Sequence, residues 1–476
     1  MLALLRLMFA AVRVGAEGGS TSADSSVYDS DEQAERGGEF HQKTSRVLRG
    51  DTRPWETDDT RPGEAGDTHP GEAASPILSD AQWTCLREFV AKALALQLRP
   101  AHIARELLSA IDTTVRQNLW RPFLAAGGQR PLQPGDFFPV ASHNLKPFFA
   151  PEKPEQVSLT PRPSSTCRGL KQLTYLGVLP QLDEPYEVEF NFEAGVALSD
   201  FCAQPLLGVL LPNIDMLREF HDPRCPEEGT FFGVRPLDEP VQWNRIQALL
   251  DQAEALGVKL VLLPELAVTQ ELSRQLGQYM AGPTRRLPVL VAGSFHFTEE
   301  ERQVNVNRSQ AFAVGLMQPL EHDKFNPYVM KQWDGKELES PLREKITERP
   351  RRLTIHWSED GWSFTTLICK DFLDQDTLKL LDALRINFVF VVALSSETDS
   401  FRRGAERLLD SGQTMTFVAN FGGHPEATSH AALAVLPVAG TAPSAYPSCQ
   451  VRAPSLLVFD LRRHQLGWLR AKQAET

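Results

Sequence analysis

The sequence has few cysteines, little positive charge and no long apolar run in its interior, and each shortage excludes a class of protein. Its six cysteines include no Cys-x-x-Cys pair, which argues against a disulfide scaffold or a structural zinc site and favours a reducing compartment. The formal net charge of −12 argues against nucleic-acid binding, because phosphate contacts need clustered Lys and Arg. No interior apolar run is long enough to predict a transmembrane helix. We therefore expect a cytoplasmic protein with no membrane or nucleic-acid partner.

The first 75 residues predict a disordered tail. Residues 17–75 are rich in Gly, Ser, Asp, Glu, Thr and Pro, and an Asp-Thr-Arg/His-Pro unit recurs between Asp51 and Pro70. Such a tract cannot bury enough apolar surface to offset its loss of chain entropy on folding. The apolar residues 1–16 leave a signal peptide open as an alternative, but Arg6 and Arg13 interrupt the run and no basic segment precedes it.

Three further segments follow from the patterning of apolar residues. Over 76–125, apolar residues recur at three- and four-residue spacing on both sides of Pro100, which predicts a helical hairpin. Residues 126–200 are rich in Pro and predict a connector, with one strand where Tyr186–Phe192 alternates with period two. Residues 201–476 predict a single α/β domain.

Strands and helices alternate within the α/β domain. The apolar run Leu206–Leu211 predicts a strand, Trp243–Leu256 an amphipathic helix, and Val258–Leu266 a second strand, an order typical of a parallel crossover. A similar order, strand then helix then strand, recurs from Phe388 to Ala419. The segment His221–Pro240 predicts a surface loop.

Three reactive side chains stand beside apolar segments of this domain. Glu265 follows Leu263-Pro264, Lys324 lies in His322-Asp-Lys-Phe325, and Cys369 follows Leu367-Ile368. A cysteine attacks carbon only as the thiolate, which a nearby carboxylate generates as general base. An ammonium stabilises the oxyanion that then forms. The three side chains therefore suit the cleavage of a carbon–nitrogen bond.

The motifs around these residues resemble those of the carbon-nitrogen hydrolase (nitrilase) superfamily. Leu-Pro-Glu-Leu at 263–266 is similar to the glutamate motif, 322–328 to the lysine motif, and Ile-Cys-Lys-Asp at 368–371 to the cysteine motif. Segments 289–294, 304–311 and 416–423 resemble supporting strands, so the resemblance spans about residues 205–465. It implies a four-layer α-β-β-α sandwich and catalysis by Glu265, Lys324 and Cys369.

The resemblance carries further expectations. The backbone N–H of Lys370 is expected to serve as a second oxyanion donor, and Glu337 or Glu339 as a second glutamate near the lysine. The implied reaction is hydrolysis of a small-molecule amide, or less favourably a nitrile, through a thioester. It requires neither a metal nor an organic cofactor, and a homo-oligomer is expected.

Two other interpretations stay open. A papain-like hydrolase needs a histidine beside Cys369, for which His296, His322, His356 and His424 are available. Alternatively, the domain could be a non-catalytic or effector module that binds a ligand or a partner, as nitrilase-like domains do in some larger proteins, including defence systems.

Overall fold

The structure is a computed structural model that describes residues 137–139, 176–213, 216–283, 285–333, 336–358, 362–395, 398–412, 414–421, 432–436, 444–447, 454–461 and 465–470. Its contacts divide the chain into two units, residues 1–142 with 161–181, and residues 143–160 with 182–476. In the first unit, β1 (Phe137–Pro139) pairs antiparallel with β2 (Leu176–Val178). The predicted tail over 1–75 and the predicted hairpin over 76–125 lie outside the described residues.

The described part of the second unit combines helices with long sheets. Its helices are α1 (Gly195–Ala203), α2 (Met216–Glu219), α3 (Glu239–Ala255), α4 (Gln270–Met280), α5 (Lys370–Leu373), α6 (Gln375–Leu384) and α7 (Asp399–Gly412). Its strands are β3 (Tyr186–Asn191), β4 (Leu206–Leu211), β5 (Arg224–Cys225), β6 (Thr230–Phe231), β7 (Leu260–Leu262), β8 (Val289–Glu299), β9 (Val304–Ala313), β10 (Leu320–Asp323), β11 (Val329–Trp333), β12 (Lys336–Glu344), β13 (Arg351–Trp357), β14 (Ser363–Ile368), β15 (Phe388–Val392), β16 (Met415–Ala419), β17 (Ala432–Leu436), β18 (Ser444–Pro447), β19 (Ser455–Asp460) and β20 (Gln465–Arg470).

Two seven-stranded sheets form the body of this unit. The first has the order β10-β9-β8-β7-β4-β19-β20, and the second the order β18-β17-β16-β15-β14-β13-β3. The parallel strands β4, β7 and β8 lie in the first sheet, and β14, β15 and β16 in the second. Helices α3 and α4 contact the first sheet, whereas α5 and α7 contact the second. Strands β9 and β10 contact β14, so the two sheets meet directly.

Burial explains why the central strands read as continuous apolar runs. Every residue of β7, β14 and β15 is buried, as expected for parallel strands covered on both faces. Helix α4 places its apolar side chains, such as Leu272 and Leu276, in the same core cluster as Val261 of β7. The carboxyl ends of these strands are thereby held rigidly, and the reactive side chains stand just beyond them.

Most predicted elements of the α/β domain are confirmed. The strand predicted at Leu206–Leu211 is β4, and β4 and β7 form the predicted parallel pair around α3. Helix α3 begins at Glu239 rather than Trp243, because the side chain of Asp238 caps it by accepting from the N–H of Val241 at 2.9 Å.

The boundary predicted at residue 201 lies too late. Strand β3, which the sequence assigned to the connector, pairs in parallel with β13 from Tyr186 to Asn191. The helix after it, α1, buries Leu198 and Phe201. Both elements therefore belong to the second unit, because their apolar side chains complete its core.

The segment His221–Pro240 is not a surface loop, which corrects the prediction. It contains β5 and β6, which join β11 and β12 in a four-stranded sheet of order β11-β12-β6-β5. Phe231 of β6 pairs in parallel with Glu344 and is buried in a cluster with Leu266 and Met330. The aromatic side chain at Phe231 gives this segment apolar surface to bury, and burial ties it to the domain.

Candidate active site

Glu265 stands in a tight turn after β7. The next residue, Leu266, has φ = 58°, and its N–H donates to Oγ of Ser294 at 3.1 Å. Gly293 has φ = 72°, and a Cβ on it would lie 2.2 Å from the carbonyl oxygen of Pro264. Only glycine fits this close approach, so the Gly-Ser pair of β8 supports the turn that presents Glu265.

Cys369 occupies a strained turn between β14 and α5. Its backbone has φ = 46° and ψ = −104°, a region that residues with a Cβ rarely adopt. Its N–H donates to the carbonyl oxygen of Val392 at 2.8 Å. Strain of this kind persists only where the surroundings over-determine it, and it concentrates at functional sites. The thiol is buried at 2% exposure.

Lys324 follows β10 and is tied to the cysteine turn by Asp371. The N–H of Lys324 donates to the carbonyl oxygen of Asn307 at 2.8 Å. The carboxylate of Asp371, two residues after Cys369, accepts from the N–H of Asn326 at 2.8 Å and from Nε2 of His322 at 3.0 Å. Asp371 thus accepts hydrogen bonds from residues before and after Lys324 in the sequence, which fixes Lys324 relative to Cys369.

The Lys324 ammonium is buried between two carboxylates. Its Nζ lies 2.7 Å from Oε1 of Glu265 and 2.7 Å from Oε2 of Glu344. The three side chains are 1–3% exposed. Nδ2 of Asn307 donates to both glutamates, at 3.0 Å to Glu265 and 2.9 Å to Glu344. One amide and one ammonium therefore lock two carboxylates side by side.

The two glutamates differ in how completely they are hydrogen-bonded. Glu344 accepts from Lys324, from Asn307, from the N–H of Tyr328 at 2.8 Å and from Nε2 of His296 at 2.9 Å. Burial alone would raise the pKa of Glu344, but Lys324 and the hydrogen bond from His296 outweigh burial and hold that pKa well below its ordinary value. Glu344 is therefore a permanent anion, and each of its carboxylate oxygens accepts two hydrogen bonds.

Glu265 has the opposite character. Burial raises its pKa above the ordinary value, and Glu344 adds to this rise, while Lys324 partly opposes it. Glu265 and Cys369 also shift each other's pKa, so the carboxylate and the thiol are close neighbours. A carboxylate with a raised pKa that touches a thiol is placed to accept the thiol proton.

The pKa values of both Cys369 and Lys324 are raised, which leaves the thiol neutral and the ammonium charged. Burial and the adjacent Glu265 raise the pKa of the Cys369 thiol well above its ordinary value, although Lys324 opposes them. Burial by itself would lower the pKa of Lys324, but Glu265 and Glu344 raise it well above its ordinary value. The resting site thus holds a neutral thiol beside an ammonium, and Glu265 is the neighbour placed to accept the thiol proton.

Glu344, and not Glu337 or Glu339, is the second glutamate at the lysine, which corrects the expectation. All three lie on β12, but Glu337 and Glu339 are exposed. Side chains alternate along a strand, so Glu344 shares the inward face with the buried Leu342. The sequence carried a signal for this choice, because every second residue from Leu338, through Ser340 and Leu342, leads to Glu344.

Lys370 opens helix α5, immediately after the cysteine. The first N–H groups of a helix have no partner within the helix, so the backbone N–H of Lys370 faces no intrahelical acceptor. Its side chain lies elsewhere, with Nζ donating to the carbonyl oxygen of Pro327 at 3.2 Å.

Three of the candidate histidines, His296, His322 and His356, lie among the described residues, and each has neighbours other than Cys369. His296 bonds Glu344, and His322 bonds Asp371, while His356 is buried against the ring of Phe364, with centroids 4.7 Å apart. None of these three is hydrogen-bonded to Cys369, and His424 lies outside the described residues. A papain-like pairing with a described histidine is therefore not formed.

Among the described residues, no group of His, Cys, Asp and Glu could hold a metal ion. In the same part of the chain, no helix is both long and apolar enough to cross a bilayer.

Comparison with known proteins gives structural matches alone. No family model matches the sequence, and no curated protein matches it. An amidase from Nesterenkonia sp. is 16% identical with a TM-score of 0.37, over 53% of this chain and 88% of the amidase. A cysteine-to-alanine mutant of the amidase from Nesterenkonia sp. AN1, in complex with butyramide, is 15% identical with a TM-score of 0.37, over 54% and 91% of the two chains. A cysteine-to-serine mutant, described as from the nitrilase superfamily, is 16% identical with the same TM-score, over 54% and 90%. Each of these three matches covers about half of this chain.

Proposed function

We propose that the protein is a carbon–nitrogen hydrolase of the nitrilase superfamily that cleaves a small-molecule amide in preference to a nitrile. The single observation that carries this proposal is the buried Lys324–Glu265 pair, 2.7 Å apart, beside the buried thiol of Cys369 at the ends of β7, β10 and β14. The proposal includes the four-layer α-β-β-α order, which is supported by helices contacting each of the two facing sheets. It also includes a homo-oligomer.

The first half of the reaction forms a thioester. Glu265 takes the thiol proton of Cys369, and the thiolate attacks the amide carbon. The negative charge that develops on the carbonyl oxygen is met by Lys324 and the backbone N–H of Lys370. Two of the three ammonium hydrogens of Lys324 are engaged by glutamates, which leaves one for this oxygen. The C–N bond then breaks, and the leaving nitrogen takes the proton held by Glu265.

The second half hydrolyses the thioester. Glu265, ionised again, takes a proton from water, and the hydroxide attacks the same carbon while Lys324 again faces the oxyanion. The C–S bond breaks, Cys369 regains a proton and the acid leaves. Glu344 takes no proton in either half, because its low pKa and its hydrogen bonds keep it ionised.

Ammonia release from the full chain tests this proposal. Butyramide and butyronitrile serve as paired amide and nitrile probes, with Cys369→Ala as the inactive control and Cys202→Ala, at a buried cysteine on α1, as the matched control. We expect release from the amide that Cys369→Ala abolishes and Cys202→Ala keeps. Fluoroacetamide should label Cys369 even where butyramide fits poorly. Absence of both turnover and Cys369 labelling would overturn the proposal and favour a non-catalytic module.

A further inference from the structure

His296 connects the second glutamate of the site to a turn from the unexpected β5–β6 segment. Its Nε2 lies 2.9 Å from Oε1 of Glu344. Its Nδ1 accepts from the N–H of Gly233 at 3.1 Å and from the N–H of Val234 at 3.3 Å. The imidazole is 1% exposed and stacks on the ring of Phe232, with centroids 4.6 Å apart and planes 23° apart.

These partners determine which nitrogen carries the proton. A backbone N–H can only donate, so Nδ1, which faces two of them, must present its lone pair. The hydrogen of a neutral imidazole then sits on Nε2 and is donated to Glu344. A doubly protonated ring would point an N–H of Nδ1 at two other donors, which the buried surroundings do not compensate. The ring is therefore neutral, and it donates in one direction only.

The backbone closes the same connection from the other side. Phe231, next to the turn, pairs with Glu344, and its carbonyl oxygen accepts from the N–H of Lys345 at 2.9 Å. The turn therefore holds the end of β12 by its backbone and the Glu344 carboxylate through His296. Gly233 has φ = 86°, a left-handed conformation that aims its N–H at the ring and that glycine adopts at low cost.

We propose that His296 is a positioning residue, which in its Nε2–H form ties the Phe232–Val234 turn to Glu344 and thereby sets the direction of the Lys324 ammonium. This role rests on the proposed function for its effect on chemistry, but the hydrogen-bond arrangement stands by itself. Through Lys324, the turn acts on a carbon–nitrogen hydrolase site that it does not enter.

Three substitutions separate the functions of the ring. His296→Gln keeps a donor at the position of Nε2, His296→Asn keeps an acceptor near Nδ1, and His296→Phe keeps the ring that stacks on Phe232. Covalent labelling of Cys369 by fluoroacetamide gives the maximal rate and the half-saturating concentration separately. Outer hydrogen-bond partners of reactive groups typically contribute about 10–100-fold. We expect His296→Asn and His296→Phe to lose about that factor in maximal rate, with the half-saturating concentration nearly unchanged, and His296→Gln to recover most of it.

Nitrogen NMR of the histidine rings in the full chain supplies a readout independent of catalysis. The signals that His296→Gln removes should show an unprotonated Nδ1 and a protonated Nε2. An Nδ1–H form would overturn the proposal whether or not the protein hydrolyses amides. Equal loss of labelling in all three variants, or loss that follows melting temperature alone, would also overturn it. If the wild type shows the Nε2–H form but no labelling, the arrangement stands and the proposed function fails.

Discussion

The Nζ of Lys324 lies 2.7 Å from Oε2 of Glu344, which is on β12 of the four-stranded sheet, and 2.7 Å from Oε1 of Glu265, which follows β7 of a seven-stranded sheet. The two carboxylates keep Lys324 protonated, whereas burial raises the pKa of Glu265, with Glu344 adding to the rise and Lys324 opposing it. The two glutamates therefore have different roles. Glu344 accepts hydrogen bonds from four donors, whereas Glu265 neighbours the thiol of Cys369.

Replacing Glu344 by Gln tests its role as a fixed anion. Glu344→Gln places an amide N–H among the four donors that the carboxylate accepts from, so we expect a lower melting temperature. The ammonium then loses one of its two anchors, and the rate of thioester formation should fall by about 10–100-fold. Glu337→Gln, on the exposed positions of the same strand, is the matched control and should behave as wild type. Equal activity in the two variants would show that Glu344 does not contribute to the reaction.

Replacing Glu265 by Gln tests its role as general base through pH. Glu265 must be ionised to accept a proton, and its pKa is raised by burial, so wild-type kcat/KM should fall as the pH drops through that raised pKa. General-base loss typically costs about 10²–10⁴-fold. Because the pKa of Cys369 is also raised, labelling of Glu265→Gln should become appreciable only at strongly alkaline pH. Glu271→Gln, exposed on α4, is the control. A Glu265→Gln variant that is labelled at neutral pH like the wild type would refute the assignment.

Replacing Asp371 by Asn tests the hydrogen bonds that join the cysteine turn to the lysine segment. The carboxylate accepts from the N–H of Asn326 and from His322, and an amide cannot accept from both while presenting its own N–H groups. An unsatisfied buried donor costs about 1–3 kcal/mol, so we expect both a lower melting temperature and slower turnover. Asp410→Asn, exposed on α7, should change neither. An unchanged melting temperature in Asp371→Asn would show that the hydrogen bonds to Asp371 contribute no stability.

The sequence predicted the central strands, the parallel pairs and the three reactive residues, and the structure brings Glu265, Lys324 and Cys369 together. The strand predictions are confirmed because a buried parallel strand is apolar on both faces and forms a continuous apolar run, whereas the catalytic roles of the three residues stay predictions. Glu344 was missed because β12 is buried on one face, and Glu337 and Glu339 look equally acidic until the alternation is assigned. His296 and Asn307 were missed as site residues because their partners are backbone groups and carboxylates distant in sequence. Local patterns carry no record of such contacts.

His356 allows a test of stability against pH that is independent of catalysis. Burial lowers the pKa of His356 to about 3 from its ordinary value of 6.5, with His322 contributing. A buried base whose folded pKa is lowered contributes stability that is fully present above pH 6.5 and is lost as the pH falls toward 3, because the unfolded chain binds the proton first. His356→Gln cannot titrate and removes this dependence. Between pH 7 and pH 5, the free energy of unfolding of the wild type should therefore fall by about 2 kcal/mol more than that of His356→Gln. Denaturant unfolding of the full chain at the two pH values measures it. A difference between wild type and His356→Gln that stays constant with pH would show that folding does not lower the pKa of His356.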